Sequence, residues 1–240
     1  MSIKHEMRKF LWRAGYDFCR LKETANPIAR KKQIFYSRKI DTVLDIGANT
    51  GQSGWLLRKV IGYSNRIISF EPLSSAFELL KANAKNDPHW KVCNFALGDT
   101  EEKREINIAG NSGSSSLLKM LPSHVRSAPE SKYIGKEMVE VKRLDSIFGN
   151  WCRPTNRVYM KIDTQGFESK VLQGAENSLK QIDTVQMEMS LVPLYEGESL
   201  FNELCMLMSE KGFILVAIET VFSDPDTGQI LQVDGIFHRL

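Results

Sequence analysis

The strongest chemical signal in the sequence is a glycine-containing turn that follows a short apolar segment. The segment Asp45-Ile-Gly-Ala-Asn-Thr-Gly51 closes the apolar, β-branched run 42–46, which predicts a strand entering a tight turn. Glycines at a strand-to-helix turn let a ligand approach the backbone closely, and the next helix offers its free N–H groups. The pattern therefore predicts a ligand-binding turn that includes Asp45, Gly47, Asn49 and Gly51.

The spacing of these glycines distinguishes between ligands. A dinucleotide fingerprint starting at Gly47 requires glycines at positions 49 and 52, where the chain has Asn49 and Gln52. An acidic residue two positions before the first glycine, Asp45, would crowd a pyrophosphate but suits a cation. S-adenosylmethionine is such a ligand, since it carries an ammonium and a sulfonium group. A nicotinamide-dependent oxidoreductase is the disfavoured alternative.

Three further acids are expected at or near the ends of strands. Glu71 ends a second apolar strand, where a carboxylate can accept hydrogen bonds from both ribose hydroxyls of an adenosine. Asp163 follows the predicted strand 158–162, and Glu188 lies within the apolar strand 185–189. Ligands of open α/β sheets bind outside the carboxyl ends of the strands, so Asp163 and Glu188 are candidate catalytic groups. The alternatives are that Asp163 only caps the next helix and that Glu188 has a buried partner.

Short apolar strands that alternate with helices must position these residues. This alternation predicts a doubly wound α/β domain with a mostly parallel sheet. About a dozen residues separate the last two strands, too few for a helical crossover, so the last strand should be antiparallel. The run 213–218 is predicted to be a buried strand. The expected strands are 42–46, 66–70, 90–95, 158–162, 185–189, 213–218 and 230–237, and the main helices 52–60, 74–86, 169–180 and 199–211.

Two regions differ from this regular pattern. Residues 1–40 form a basic arm with a net charge of +8, in which apolar residues from Met7 to Leu21 recur at helical spacing. Residues 41–240 form the catalytic domain, in which 99–157 is predicted to be an irregular insert over the active face. The arm raises a second alternative, a non-catalytic protein that binds nucleic acid or a membrane, although no recognition motif supports it.

The composition is that of a globular protein, with 42% hydrophobic and 25% charged residues in 240. No apolar run approaches the roughly 20 residues that span a bilayer, and no signal peptide is evident, which predicts a cytoplasmic protein. Scattered cysteines favour free buried thiols, and no metal site is predicted. Ordinary structural interpretations are preferred for other residues: His124 at the surface, the loop 110–116 solvated, and Trp55, Trp90, Met206 and Met208 in the core. The cysteines are Cys19, Cys93, Cys152 and Cys205.

Four ordered motifs resemble the FkbM family of methyltransferases: DIGANTG at 45–51, FEP at 70–72, NFALGD at 94–99 and KIDTQGFE at 161–168. The resemblance implies the Rossmann-like sheet of class I methyltransferases, with S-adenosylmethionine across the ends of the first strands. It also implies that Gly47, Asn49 and Gly51 wrap the methionine part, that Glu71 binds the ribose and that Ala96 lies near the adenine. The chain departs from the family at Gln165, where many members carry a glutamate.

The resemblance further implies O-methylation of a hydroxyl on a sugar, a glycan or a secondary metabolite. No nucleic-acid partner is expected, because no recognition motif accompanies the basic arm. A substrate hydroxyl would attack the sulfonium methyl and release S-adenosylhomocysteine, and the protein would align the nucleophile and remove its proton. A hydroxyl is scarcely ionised near neutral pH, so a carboxylate within hydrogen-bonding reach would assist. Asp163 and Glu188 are the candidates for that assistance.

Overall fold

A computed structural model of the chain describes residues 3–16, 22–24 and 26–240, and it divides into two compact units, residues 1–37 and 38–240. Within its described residues, the first unit contains the helices α1 (Ile3–Arg13) and α2 (Pro27–Ser37). Helix α1 ends before Gly15, whose φ of +80° is a left-handed conformation that terminates helices. The predicted amphipathic helix is thus shorter than its apolar pattern, and Phe18, Cys19 and Leu21 lie outside the described residues.

Helix α2 was not predicted, because the basic residues 30–32 carry no clear apolar period. Proline stands at its first position, where the missing N–H costs nothing. The side chain of Asn26 accepts a hydrogen bond from the Ala29 N–H at 3.1 Å and thereby caps the helix. The basic stretch therefore lies on a helix.

The second unit contains a seven-stranded sheet and a smaller, three-stranded sheet. Within the described residues its helices are α3 (Gln52–Leu56), α4 (Ser74–Ala84), α5 (Pro122–Ser127), α6 (Leu144–Ile147), α7 (Glu168–Gly174) and α8 (Phe201–Glu210). The strands are β1 (Thr42–Ile46), β2 (Arg66–Phe70), β3 (Trp90–Cys93), β4 (Ala96–Leu97), β5 (Glu102–Ala109), β6 (Tyr133–Lys142), β7 (Val158–Ile162), β8 (Ile182–Ser190), β9 (Phe213–Ser223) and β10 (Ile230–Arg239).

The large sheet has the strand order β3-β2-β1-β7-β8-β10-β9. The pairs from β3 to β8 are parallel, and β10 is antiparallel to both of its neighbours, which confirms the predicted topology. The carboxyl ends of β1, β2 and β7 therefore meet at one edge. The motifs that follow these three strands are brought together there.

Two predicted helices end differently from their sequence patterns. Helix α3 continues as a π-helical turn, Leu57–Ile61, and stops at Gly62 with a φ of +79°. Helix α7 ends at Gly174 instead of running to position 180. The Asp145 carboxylate accepts the backbone N–H groups of Asn177 and Ser178, at 3.0 and 2.8 Å, and so starts a separate 3₁₀ turn.

The prediction that residues 99–157 are irregular is wrong. Strands β4, β6 and β5 form a three-stranded sheet, in which β5 and β6 pair as a long antiparallel ribbon. Charged residues occupy much of this ribbon, including the ion pair between Lys136 and Glu105 at 2.6 Å. The alternation at 105–108 and the valines at 139 and 141 indicate parts of β5 and β6, but charged residues interrupt the apolar pattern over the rest of the ribbon.

The predicted strand at 213–218 is present as part of β9, but its predicted burial is wrong, because β9 lies at the end of the sheet. Ile214, Val216 and Ile218 are 45%, 41% and 52% exposed. Two predictions of core residues are also wrong, because Trp55 and Met206 lie on outer helix faces and are exposed. Trp90 and Met208 are buried, as predicted. The described cysteines are free, but only Cys152 is buried, while Cys93 and Cys205 are partly exposed.

Candidate active site at the carboxyl ends of β1, β2 and β7

The glycine turn after β1 is held in left-handed backbone conformations, with φ values of +74° at Gly47, +48° at Asn49 and +94° at Gly51. A side chain at Gly47 would place its Cβ 1.8 Å from the carbonyl oxygen of Asp163. Gly47 is therefore required for the close approach between this turn and the segment after β7. Asparagine is one of the few other residues that tolerate the conformation found at position 49.

Glu71 connects the end of β2 to the glycine turn. One carboxylate oxygen accepts the backbone N–H of Asn49 at 2.7 Å, and the other accepts that of Leu73 at 2.9 Å. The side chain is buried, and this burial raises the pKa of Glu71 to about 7, although the two N–H donors oppose the shift. The structure thus brings Glu71 and Asn49 together, as the sequence predicted for a shared ligand.

Asp45 lies deeper than predicted. Its side chain is completely buried, and one carboxylate oxygen accepts the Ser69 hydroxyl at 3.0 Å, which in turn accepts the Trp90 indole N–H at 3.0 Å. Lys161 Nζ lies 4.0 Å from the other oxygen. Ser69 and Lys161 therefore enclose the Asp45 carboxylate, and its contact with a ligand stays a prediction.

Ala96 lies on β4 and belongs to an apolar cluster with Leu73 and Ala76. Leu73 and Ala76 follow shortly after Glu71 in the chain. The side chain of Asn94 holds this region to the end of β2 by donating to the carbonyl oxygens of Glu71 and Pro72, at 2.9 and 3.0 Å. The buried Ala96 side chain thus packs in the same cluster as Leu73, and its contact with an adenine stays a prediction.

Asp163 does not cap the following helix, so the interpretation of Asp163 as only a helix cap is wrong. Helix α7 has no side-chain cap at its start, and it is Glu168 that accepts the backbone N–H of Thr164, at 2.8 Å. Asp163 instead accepts Lys161 Nζ and Gln165 Nε2, each at 2.9 Å, on its two oxygens. Its side chain is 32% exposed and is therefore accessible from the carboxyl edge of the sheet.

Glu188 is buried and has partners on both sides. One of its oxygens accepts Gln165 Nε2 at 2.6 Å and Gln232 Nε2 at 3.0 Å. Burial and the nearby carboxylates of Asp163 and Glu168 raise the pKa of Glu188 well above its usual value. The two predicted catalytic acids thus meet through one shared amide nitrogen.

Sequence reasoning missed Lys161, although it stands in the KID motif two residues before Asp163. Burial alone would lower the pKa of its ammonium group, but the carboxylates of Asp163 and Asp45 outweigh burial and raise it. Lys161 is therefore a fixed cation between Asp163 and Asp45. The two-residue spacing of Lys161 and Asp163 was the signal available in the sequence.

The loop Gly110–Ser116 is not simply solvated, contrary to the sequence interpretation. Ser112 Oγ lies 3.2 Å from Asn49 Nδ2, and Ser116 Oγ donates to the Gln165 carbonyl at 2.6 Å. The Ser114 carbonyl lies 3.2 Å from the Tyr195 hydroxyl. Ser114 and Ser116 are buried, so the loop joins the glycine turn to the segment after β7.

His124 is buried, so its predicted surface position is wrong. It packs between the rings of Tyr195 and Phe222, with centroids 5.2 and 5.4 Å away. Burial lowers the pKa of His124 to about 4, while Glu130 opposes the shift. The imidazole is therefore neutral at physiological pH, and its contacts are with aromatic rings rather than with the two acids.

Among the residues that the structure describes, no group of His, Cys, Asp and Glu side chains is arranged to hold a metal ion. Every helix in the described ranges is too short or too polar to cross a lipid bilayer.

The strand order, together with a site at the carboxyl ends of the first strands, defines a class I methyltransferase fold. The sequence model of the FkbM methyltransferase domain matches residues 45–215. The chain therefore belongs to the FkbM methyltransferase family, which confirms the resemblance found in its motifs and disfavours a nicotinamide-dependent oxidoreductase.

Solved structures that are similar to this chain are distant from it in sequence. An rRNA methylase from Streptococcus thermophilus is 8% identical with a TM-score of 0.50, over 92% of this chain and 99% of that chain. An uncharacterized protein from Listeria monocytogenes serotype 4b has the same identity and score, over 92% and 69%. Methyltransferase FkbM from Methylobacillus flagellatus is 13% identical with a TM-score of 0.45, over 82% and 43%. No curated protein sequence matches the chain.

Proposed function

We propose that this methyltransferase transfers a methyl group from S-adenosylmethionine to a hydroxyl group of a sugar, a glycan or a secondary metabolite. The observation that carries the proposal is the Glu71 carboxylate, which is buried at the end of β2 and bonded to the backbone of the glycine turn. Each carboxylate oxygen has further lone pairs with which to accept a ribose hydroxyl. Glu71, Asn49 and Ala96 would hold the adenosine, and the turn from Gly47 to Gly51 the methionine part.

The chemistry that the bound cofactor supplies is an electrophilic methyl group on a sulfonium centre. Asp163 would orient the acceptor hydroxyl and accept its proton, since its carboxylate is the accessible one of the two acids. Lys161 holds one Asp163 oxygen in place, and Gln165 holds the other. Gly47, packed against the Asp163 carbonyl, fixes the distance between the cofactor turn and this base.

The charge of the site supports a neutral, hydroxyl-rich acceptor. Asp163 and Glu188 lie side by side, and the nearest cation, Lys161, is already paired with Asp163 and Asp45. The accessible Asp163 carboxylate would repel the phosphates of a nucleic acid, whereas it accepts hydrogen bonds from sugar hydroxyls readily.

Calorimetric titration of the full chain with S-adenosylhomocysteine, NAD and NADP tests the cofactor assignment. We expect binding of S-adenosylhomocysteine alone, and tight binding of either nicotinamide nucleotide would overturn the proposal. A screen with methyl-labelled cofactor then tests the acceptor class. Hydroxylated sugars, glycans and macrolide-type metabolites form one arm, and RNA forms the other. Labelling of RNA alone would overturn the acceptor assignment.

A further inference from the structure

One side chain, Gln165, touches both acids of the site. Its amide nitrogen lies 2.9 Å from Asp163 Oδ1 and 2.6 Å from Glu188 Oε2, and its amide oxygen accepts the Tyr195 hydroxyl at 2.7 Å. The side chain is buried. All polar atoms of the Gln165 side chain are thus used inside the site.

The orientation of this amide is determined by its neighbours. A glutamine amide has two N–H donors and one acceptor oxygen, so one hydrogen can point to each carboxylate. The flipped amide would direct its oxygen at both Asp163 and Glu188, which are acceptors when ionised. The backbone is also constrained, because Gln165 has a φ of +56° and its carbonyl accepts the Ser116 hydroxyl.

The amide nitrogen of Gln165 is the donor between the two acids, and each acid lies within hydrogen-bonding distance of it. The raised pKa of Glu188, caused by burial and by Asp163 and Glu168, reflects this proximity. The other titratable groups that face the pair come from separate elements: Lys161 from β7, Glu168 from α7, Asp234 from β10 and Tyr195 from the segment after β8.

We propose that Gln165 is a positioning residue whose neutral amide holds the Asp163 carboxylate in one orientation by bridging it to Glu188. The inference rests on the proposed function, in which Asp163 accepts the proton of the acceptor hydroxyl. A carboxylate kept ionised and oriented can act as a base at every turnover.

The first test detects the bridge without any acceptor. The side-chain amide resonances of Gln165, identified by their absence from the spectrum of Gln165→Glu, are followed by ¹⁵N-correlated NMR between pH 4 and pH 9. We expect them to shift as the two acids titrate, while those of the exposed Gln229 stay fixed. Resonances of Gln165 that do not move over this range would overturn the bridge.

The second test measures the consequence for turnover. In Gln165→Glu the acid limb of the kcat profile should move to higher pH by about one unit or more, with recovery at still higher pH. The affinity for S-adenosylhomocysteine should stay within about threefold, because the Glu71 contacts lie on another strand. Gln229→Glu makes the same chemical change on the surface and should match the wild type. An unchanged profile, or an equal loss at every pH, would overturn the positioning role.

If Gln165→Glu fails to fold, Tyr195→Phe provides a milder variant. It removes the donor that fixes the amide oxygen, so the acid limb should move in the same direction by a smaller amount. An unmoved limb in folded Tyr195→Phe would then overturn the role. The proposed function fails separately: a wild-type chain that does not bind S-adenosylhomocysteine refutes it, whatever the NMR titration of Gln165 shows.

Discussion

At the scale of single residues, the ionisation of Glu71 should govern the affinity of the cofactor site. Burial raises its pKa to about 7, and ribose hydroxyls donate to the ionised form. The carboxylate is ionised above this pH, so S-adenosylhomocysteine should bind most tightly there and lose up to about tenfold in affinity per unit below it. Calorimetric titration between pH 5.5 and 8.5 measures the dissociation constant.

Variants of Glu71 separate this effect from a general loss of structure. Glu71→Gln should give a weaker affinity that no longer depends on pH, and Glu71→Ala should lose on the order of 1.5–3 kcal/mol of binding free energy. The exposed Glu78 provides the control, since Glu78→Gln should keep both the affinity and its pH dependence. A wild-type dissociation constant that is constant across the range would contradict the prediction.

Asp163 carries the corresponding prediction for the rate. Asp163→Asn keeps the shape and one acceptor oxygen but removes basicity, so kcat should fall by about 10²–10⁴. The affinity for S-adenosylhomocysteine should change far less, because Glu71 and Asn49 remain in place. Single-turnover methyl transfer with the acceptor found by screening gives the rate. Near-normal turnover would remove Asp163 from the base role and direct attention to Glu188.

At the scale of elements, the boundary between Ser37 and Arg38 allows the arm to be tested on its own. All residues proposed to hold the cofactor lie in 38–240, so a chain that begins at Arg38 should bind S-adenosylhomocysteine almost as tightly as the whole chain. Turnover should fall instead, since we propose that the arm is a lid or a docking element. Calorimetry, circular dichroism and the transfer assay measure these properties.

A shorter truncation that begins at Asn26 keeps α2 and its cap, and so assigns any effect to one helix. A folded chain from Arg38 that has lost all affinity for the cofactor would instead make the arm part of the cofactor pocket. Salt-sensitive binding of the whole chain to anionic vesicles or RNA, absent from the truncated chain, would give the arm an interaction role.

The elements also explain which parts of the structure the sequence could predict. Strands β1, β2 and β7 were located to the residue because they are short apolar runs bounded by turn signals. Glu71 and Asp163 followed from them, since parallel strands end at one edge. The bridges to Gln165 and Ser112 could not be found in this way. Asn49 and Ser112 are 63 positions apart, and only the folded loop brings them together.

At the scale of the whole molecule, His124 should make the free energy of unfolding sensitive to acid. Its pKa is about 4 in the folded chain, compared with about 6.5 when exposed, because it is buried between Tyr195 and Phe222. Between these two pH values, His124 binds a proton in the unfolded chain but not in the folded chain. The stability from His124 is therefore complete above pH 6.5 and is lost as the pH falls toward 4.

Other buried groups act in the opposite direction, so the wild-type curve alone does not isolate His124. The pKa values of Glu71 and Glu168, each raised by burial to about 7, favour the folded state at low pH, and this contribution is lost as the pH rises from about 4.5 to 7. The contribution of His124 must be read as a difference between two chains. His124→Phe keeps an aromatic ring in the same space but cannot take up a proton.

We expect the stability of His124→Phe relative to wild type to grow as the pH falls from 6.5 to 4, by up to about 3 kcal/mol, and to level off below that. Urea unfolding at half-unit pH steps measures the difference. Curves for His124→Phe and wild type that stay parallel from pH 7 to 4 would mean that His124 takes up its proton equally well in the folded chain. The aromatic pocket would then have to admit water or a counter-charge to the imidazole, and the packing of Tyr195 against it could not be as tight as the structure shows.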